Sequence, residues 1–148
     1  MSYTVRHVTR TSKAFRDALR SIFSDTRRLG PGRHMAMKAC LGSETSKLVV
    51  AYHANGKVAG AASYRREGKR IKRICTGAVV RRKGIGTAMI RYIALTNRAM
   101  AMYSKNTPEG AKWARKKLGM KLRGRAGALS QHTWTKQQVR DWLRRDGR

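Results

Sequence analysis

The chain has 148 residues, enough for one domain with its own core, and 35 Lys and Arg against 7 Asp and Glu give it a net charge of +28. That excess goes far beyond what solubility requires and points to a polyanion as partner, whether RNA, DNA or a nucleic-acid-associated protein. No apolar run reaches the roughly 18 residues of a membrane span, and MSYTVRHVTR lacks the apolar core of a secretory leader. Cys40 and Cys75 have no metal-like spacing, so a reducing, cytoplasmic setting is expected, with no membrane partner and no metal.

Tyr3, Val5 and Val8 read as a short first strand. Ser12 can cap a helix whose Ala14, Phe15, Ala18, Leu19, Ile22 and Phe23 form one apolar stripe, and Leu29-Gly30-Pro31-Gly32 breaks it. A second short helix is expected over residues 33–41, ended by Gly42. Lys47 to His53 and Lys57 to Tyr64 are strand-like, and Asn55-Gly56 between them predicts a hairpin with a type I′ turn. Glu67-Gly68 turns the chain into a further strand.

That strand feeds the most informative stretch, Ile71 to Tyr92. A β-branched run from Ile74 to Val80 stops at Arg81, and a loop with Gly84 and Gly86 leads into Ile85, Ala88, Met89, Tyr92 and Ile93 at helical spacing. A glycine loop opening a helix gathers backbone N–H groups at the positive end of the helix dipole, which suits a phosphate or diphosphate. Neither the Walker spacing nor the dinucleotide G-x-G-x-x-G is present. A plain strand-to-helix turn with packing glycines stands as the alternative.

Ala99 to Ser104 reads as a buried strand, parallel to the one before the helix because a crossover helix connects them. Thr107 and Pro108 open the next helix, lined by Ala111, Ala114 and Leu118 and closed by Gly119. Lys121 to Arg125 and Leu129 to Trp134 form a last hairpin around Gly127. Thr135 and Gln138 make a capping box for a closing helix whose Val139, Trp142 and Leu143 face inward.

The string Arg81-Arg82-Lys83-Gly84-Ile85-Gly86, R-x-x-G-x-G, resembles the acyl-CoA pyrophosphate loop of the GCN5-related N-acetyltransferases, the GNAT family, and the element order over residues 1 to 134 resembles theirs. Ala111 with Lys117-Leu118-Gly119-Met120 resembles the family's A-x-x-x-x-x-K-L-G-F ending. The resemblance implies one α/β (α+β) domain over 1–148: a mixed sheet of six to seven strands flanked by about four helices, with 135–148 an appended basic helix. It implies acetyl-CoA as donor, lying where the fourth and fifth strands splay apart. On it, the backbone of Arg82, Lys83, Gly84, Ile85, Gly86 and Thr87 holds the pyrophosphate, and Arg81 and Lys83 add charge. Thr76, Gly77 and Ala78 hold the pantetheine, Gly77 at an expected bulge, and Asn106 adds a polar contact. The first two helices and their loop form one wall of the acceptor site.

The sequence departs from the family where catalysis is concerned. Many relatives carry a carboxylate base on the fourth strand and a tyrosine acid four residues before the helix-closing glycine. Between Glu67 and Glu109 this chain has no Asp, Glu or His, and Arg115 stands at the tyrosine position. Three readings are open. An already neutral α-amine needs little help, since it titrates near ~8 against ~10.4 for lysine. Alternatively Tyr103, Tyr92 or Glu44 handles the proton, Tyr103 at the end of the fifth strand being the best placed, while Tyr92 and His132 read as core and Cys75 as a small hydrophobe. Finally, an inactive scaffold could serve as a nucleic-acid or host-protein binding module. From Lys112 to Arg148, 12 Lys and Arg face 2 acids and are interleaved with Trp113, Trp134 and Trp142, a mixture that suits phosphate contacts and stacking, although Trp134 and Trp142 read better as core. Arg65, Arg66, Lys69, Arg70, Lys72 and Arg73 form a second basic cluster beside the expected acceptor groove.

Overall fold

A computed structural model describes residues 3–9, 11–26, 46–78, 84–106, 108–116, 118–126 and 129–145. In chain order the elements are β1 (Thr4–Val8), α1 (Lys13–Thr26), β2 (Lys47–Tyr52), β3 (Val58–Glu67), β4 (Arg70–Ala78), α2 (Ile85–Thr96), β5 (Ala101–Asn106), α3 (Pro108–Lys116), β6 (Lys121–Ala126), β7 (Leu129–Trp134) and α4 (Lys136–Arg145). The expected helix over 33–41 lies outside the described residues. Seven strands form one sheet in the order β1-β2-β3-β4-β5-β7-β6, antiparallel throughout except for the parallel pair β4–β5. No described helix is long and apolar enough to cross a membrane.

Strand alternation sorts the helices onto two faces. Val49, Ala51, Ala62, Tyr64, Ile71 and Met102 join one core cluster with Ile85, Met89 and Ile93 of α2, Ala114 of α3, and Val139 and Trp142 of α4. The alternate residues Leu48, Val50 and Ala61 are equally buried but on the other face. There α1 lies against β2 and β3 and buries Phe15 and Ala18. Trp142 meets Trp134 edge to face, with ring centroids 5.0 Å apart, which packs α4 on the sheet.

Local signals act as the sequence suggests at both caps. Ser12 Oγ accepts from the Phe15 N–H at 3.2 Å. Thr135 Oγ1 accepts from the Gln138 N–H at 3.2 Å while Gln138 Oε1 accepts from the Thr135 N–H at 2.9 Å, a complete capping box. The β2–β3 hairpin forms, but its turn is not type I′. Gly56 alone takes positive φ (83°), while Asn55 keeps an ordinary φ and uses its side-chain oxygen to accept from the Lys57 N–H at 3.0 Å. An asparagine side chain that closes its own turn removes the need for a second left-handed residue.

Candidate active site

The site begins where two neighbouring strands part. β4 and β5 pair at Arg70 with Ala101 and at Ile71 with Met102, and among the described residues nowhere beyond, although both strands run on. The cause lies on the other side of β4. Opposite β3, Ser63 faces Cys75 and Arg65 faces Lys72, so two residues of β4, Arg73 and Ile74, stand against the single Tyr64. Such a bulge bends its strand and raises the local twist. β4 therefore swings away from β5 one step after their last shared pair. The bulge expected at Gly77 is not there: Gly77 pairs in regular register with Ala61.

The extra residue also changes which side chains face the helices. Ile71 faces α2 before the bulge, and Ile74 and Thr76 face it afterwards. Together with Ile90, Met102, Trp113, Leu118, Met120 and Trp134 they line a small apolar space in the wedge between the two strands.

At the far end of β4 the described part of the glycine loop begins at Gly84, whose φ of 74° is left-handed; it is the N-cap of α2 and no side chain caps it. A residue with a Cβ would be strained there by about 1 kcal/mol. The first helical bond runs from the Ala88 N–H to the Gly84 carbonyl at 3.0 Å, so the N–H groups of Ile85, Gly86 and Thr87 precede the ladder. Gly86 is needed for a different reason. A Cβ on it would stand 3.2 Å from the Trp113 six-membered ring, and the Trp113 indole N–H donates to Thr87 Oγ1 at 3.2 Å. Arg81, Arg82 and Lys83 lie outside the described residues. Thr76, Gly77 and Ala78 close β4 and Asn106 closes β5 opposite Ser130, so the structure brings these to the two lips of the wedge.

Tyr103 lies on β5 beside Thr133, half-buried. Strand alternation sets it on the face opposite Met102, which is the α1 side. Tyr92 is elsewhere: its hydroxyl accepts from the His7 backbone N–H at 3.3 Å and lies 3.2 Å from His7 Nδ1, at the β1 edge of the sheet. His132 is completely buried on β7. Glu44 lies outside the described residues. The bulge at Arg73 and Ile74 and the seat of Trp113 were missed by sequence reasoning. The signal for the first was the three-residue spacing of Ile71 and Ile74, which only a bulge can turn to one face.

Charge gathers at the end of the sheet opposite the glycine loop. Arg66, Lys69 and Arg70 at the β3–β4 hairpin, Arg98 before β5, Lys136 after β7 and Lys121 at the start of β6 are all exposed there. Glu67, the hairpin's one carboxylate, is taken up between Arg65 (3.5 Å) and Lys72 (3.6 Å).

Comparison with known proteins agrees with this architecture. A family model for the GNAT acetyltransferase domain matches residues 31–104, half of the chain. No curated protein matches the sequence significantly. A GNAT-family acetyltransferase from Staphylococcus aureus Mu50 superposes with a TM-score of 0.67 at 10% identity, over 89% of this chain and 98% of that one. PaiA N-acetyltransferase from Thermoplasma acidophilum, solved in complex with coenzyme A, gives 0.58 at 9% identity over 90% and 98%. A phosphinothricin acetyltransferase from Sinorhizobium meliloti, solved with acetyl-CoA, gives 0.57 at 20% identity over 90% and 86%. At such identities the structural likeness speaks for the fold, and the sequence model speaks for the lineage: the chain belongs to the GNAT acetyltransferase family.

Proposed function

We propose that the chain is an acetyl-CoA-dependent N-acetyltransferase of the cytoplasm, and that the amine it acylates is carried by an anionic or nucleic-acid-associated molecule. The observation that carries the donor half is the wedge. Past Ile71 and Met102, β4 presents an inner edge whose main-chain groups β5 does not take up, and an extended amide-bearing arm can add to such an edge as a strand would. Acetyl-CoA supplies that arm, a diphosphate and an acyl thioester. The described turn suits a diphosphate: among the described residues nothing lies within 4 Å of where a Gly84 Cβ would stand, and the first-turn N–H groups of α2 follow directly. Arg82 to Thr87 would hold it through main-chain N–H groups, with charge from Arg81 and Lys83 and a polar contact from Asn106. Main-chain groups near Thr76, Gly77 and Ala78 would hold the arm and polarise the reacting carbonyl.

Proton handling falls to Tyr103, on the α1 side where the acceptor is expected. With no carboxylate between Glu67 and Glu109, the chain contributes placement and positive charge, and positive charge lowers an amine's pKa. An α-amine or aminoacyl-type acceptor, which gives up its proton about two pH units below a lysine side chain, suits this site better. The exposed cations across the opposite end of the sheet support a polyanionic carrier such as RNA or DNA. That same missing carboxylate favours a second reading, in which the scaffold binds nucleic acid without catalysis.

Release of free CoA thiol on adding aminoacyl-tRNA or a peptide with a free α-amine separates the two. The expected result is acceptor-dependent release that Gly84→Glu abolishes. No release with any acceptor, together with RNA binding unchanged by Gly84→Glu, would leave only the binding module.

A further inference from the structure

Trp113 touches both places the donor has to reach. Its six-membered ring covers Gly86 in the first turn of α2, where the diphosphate would sit, and its N–H is held by Thr87 Oγ1. The same indole lines the wedge beside Ile74, Thr76 and Met102. The apolar space that these residues enclose is about 20 Å³, which admits a single water. Pockets that bury a ligand of drug size measure roughly 300–1,000 Å³.

A close-packed interior does not yield such room by small adjustments, so a side chain has to leave. Met102, Leu118 and Trp134 belong to the buried core, and their departure would break the sheet's packing. Trp113 is only half-buried, and the tie recorded for its polar atom is the one bond between two neutral groups. Of the half-buried lining residues Ile74, Thr76 and Trp113, only Trp113 has a side chain large enough to open the space by swinging outward.

We propose that Trp113 is the donor gate of this enzyme. Its indole shuts the wedge against Thr87 and swings toward solvent when acyl-CoA enters, so it sets donor affinity and takes no part in the chemistry. The inference rests on the donor reading above. A closed form that competes with the ligand reduces the apparent affinity by the fraction of molecules that are open. Truncating a gate therefore tightens binding, whereas truncating a wall that grips the ligand weakens it.

The test is calorimetric titration of CoA into the wild type, Trp113→Phe and Trp113→Ala, each checked for folding by circular dichroism. With about a tenth of molecules open, Trp113→Ala binds about tenfold more tightly, and the gain appears in the association rate. Trp113→Phe, which loses the N–H donor but keeps a ring, falls between. Because Trp134 and Trp142 are buried, CoA should also raise acrylamide quenching in the wild type, a change absent from Trp113→Phe. Unchanged or weaker binding by folded Trp113→Ala overturns the gate, as does wild-type quenching that CoA leaves alone. Should Trp113→Ala fail to fold, the Phe variant and the quenching decide in the same way. Failure of every variant to bind CoA at millimolar concentration is a different result and removes the donor reading itself.

Discussion

Gly84 and Gly86, two positions apart, meet two unrelated needs: one supplies a backbone angle, the other the absence of a side chain beneath Trp113. A second residue-scale arrangement lies at the β1 edge, where His7 Nε2 is 2.7 Å from the Tyr64 hydroxyl and Nδ1 is 3.2 Å from that of Tyr92. Burial, and then the charge of Lys47, holds the His7 pKa below its ordinary 6.5. Tyr64, pushed up mainly by burial, keeps its phenolic proton throughout the neutral range and also accepts from Asn97 Nδ2 at 3.1 Å. The unfolded chain takes up a proton near pH 6.5 that the folded chain resists. His7's contribution is therefore complete above 6.5, declines as the pH falls toward the folded value, and is constant below that. Melting temperatures should drop between pH 7.5 and pH 5, and the drop should be smaller in His7→Gln. An equal drop in both proteins would clear His7 of the effect.

Among the elements, the capping box of α4 gives the plainest expectation. Thr135→Ala leaves a first-turn N–H without its partner and should cost about 1 kcal/mol, read as a lower urea midpoint at unchanged slope. That cap was legible in the sequence, as were Ser12, the two hairpins around Asn55 and Gly68, and the order of strands and helices, because each depends on residues a few positions apart. The wedge was legible only through the family resemblance. Its physical cause, the bulge at Arg73 and Ile74, depends on how β4 registers against Tyr64 across the hairpin, and the resemblance put the irregularity at Gly77 instead. Trp113 read as part of a basic, stacking stretch because nothing local links it to Gly86, 27 positions earlier. The β5 strand begins at Ala101 rather than Ala99 because Arg98 and Ala99 both take left-handed φ, 55° and 54°, to turn the chain out of α2. Neither residue type announces that conformation.

For the whole molecule, a charge of +28 makes ionic strength the governing variable. If the six cations named at the sheet end each engage one phosphate of duplex DNA, the logarithm of the binding constant should fall with the logarithm of salt at a slope of about −5. Changing Arg66, Lys69 and Arg70 together to Gln should reduce that slope by about 3, measured by fluorescence anisotropy across a salt series. The same loss from three cations chosen on α3 would show that the attraction is diffuse. The parting of β4 from β5 has a mechanical consequence as well. The sheet is two leaves, β1 to β4 and β5 to β7, stitched by two residue pairs and by the core that α2 shares with both. A ligand arm that paired with the free edge of β4 would act there as a missing strand and would lend the two leaves part of their cooperativity.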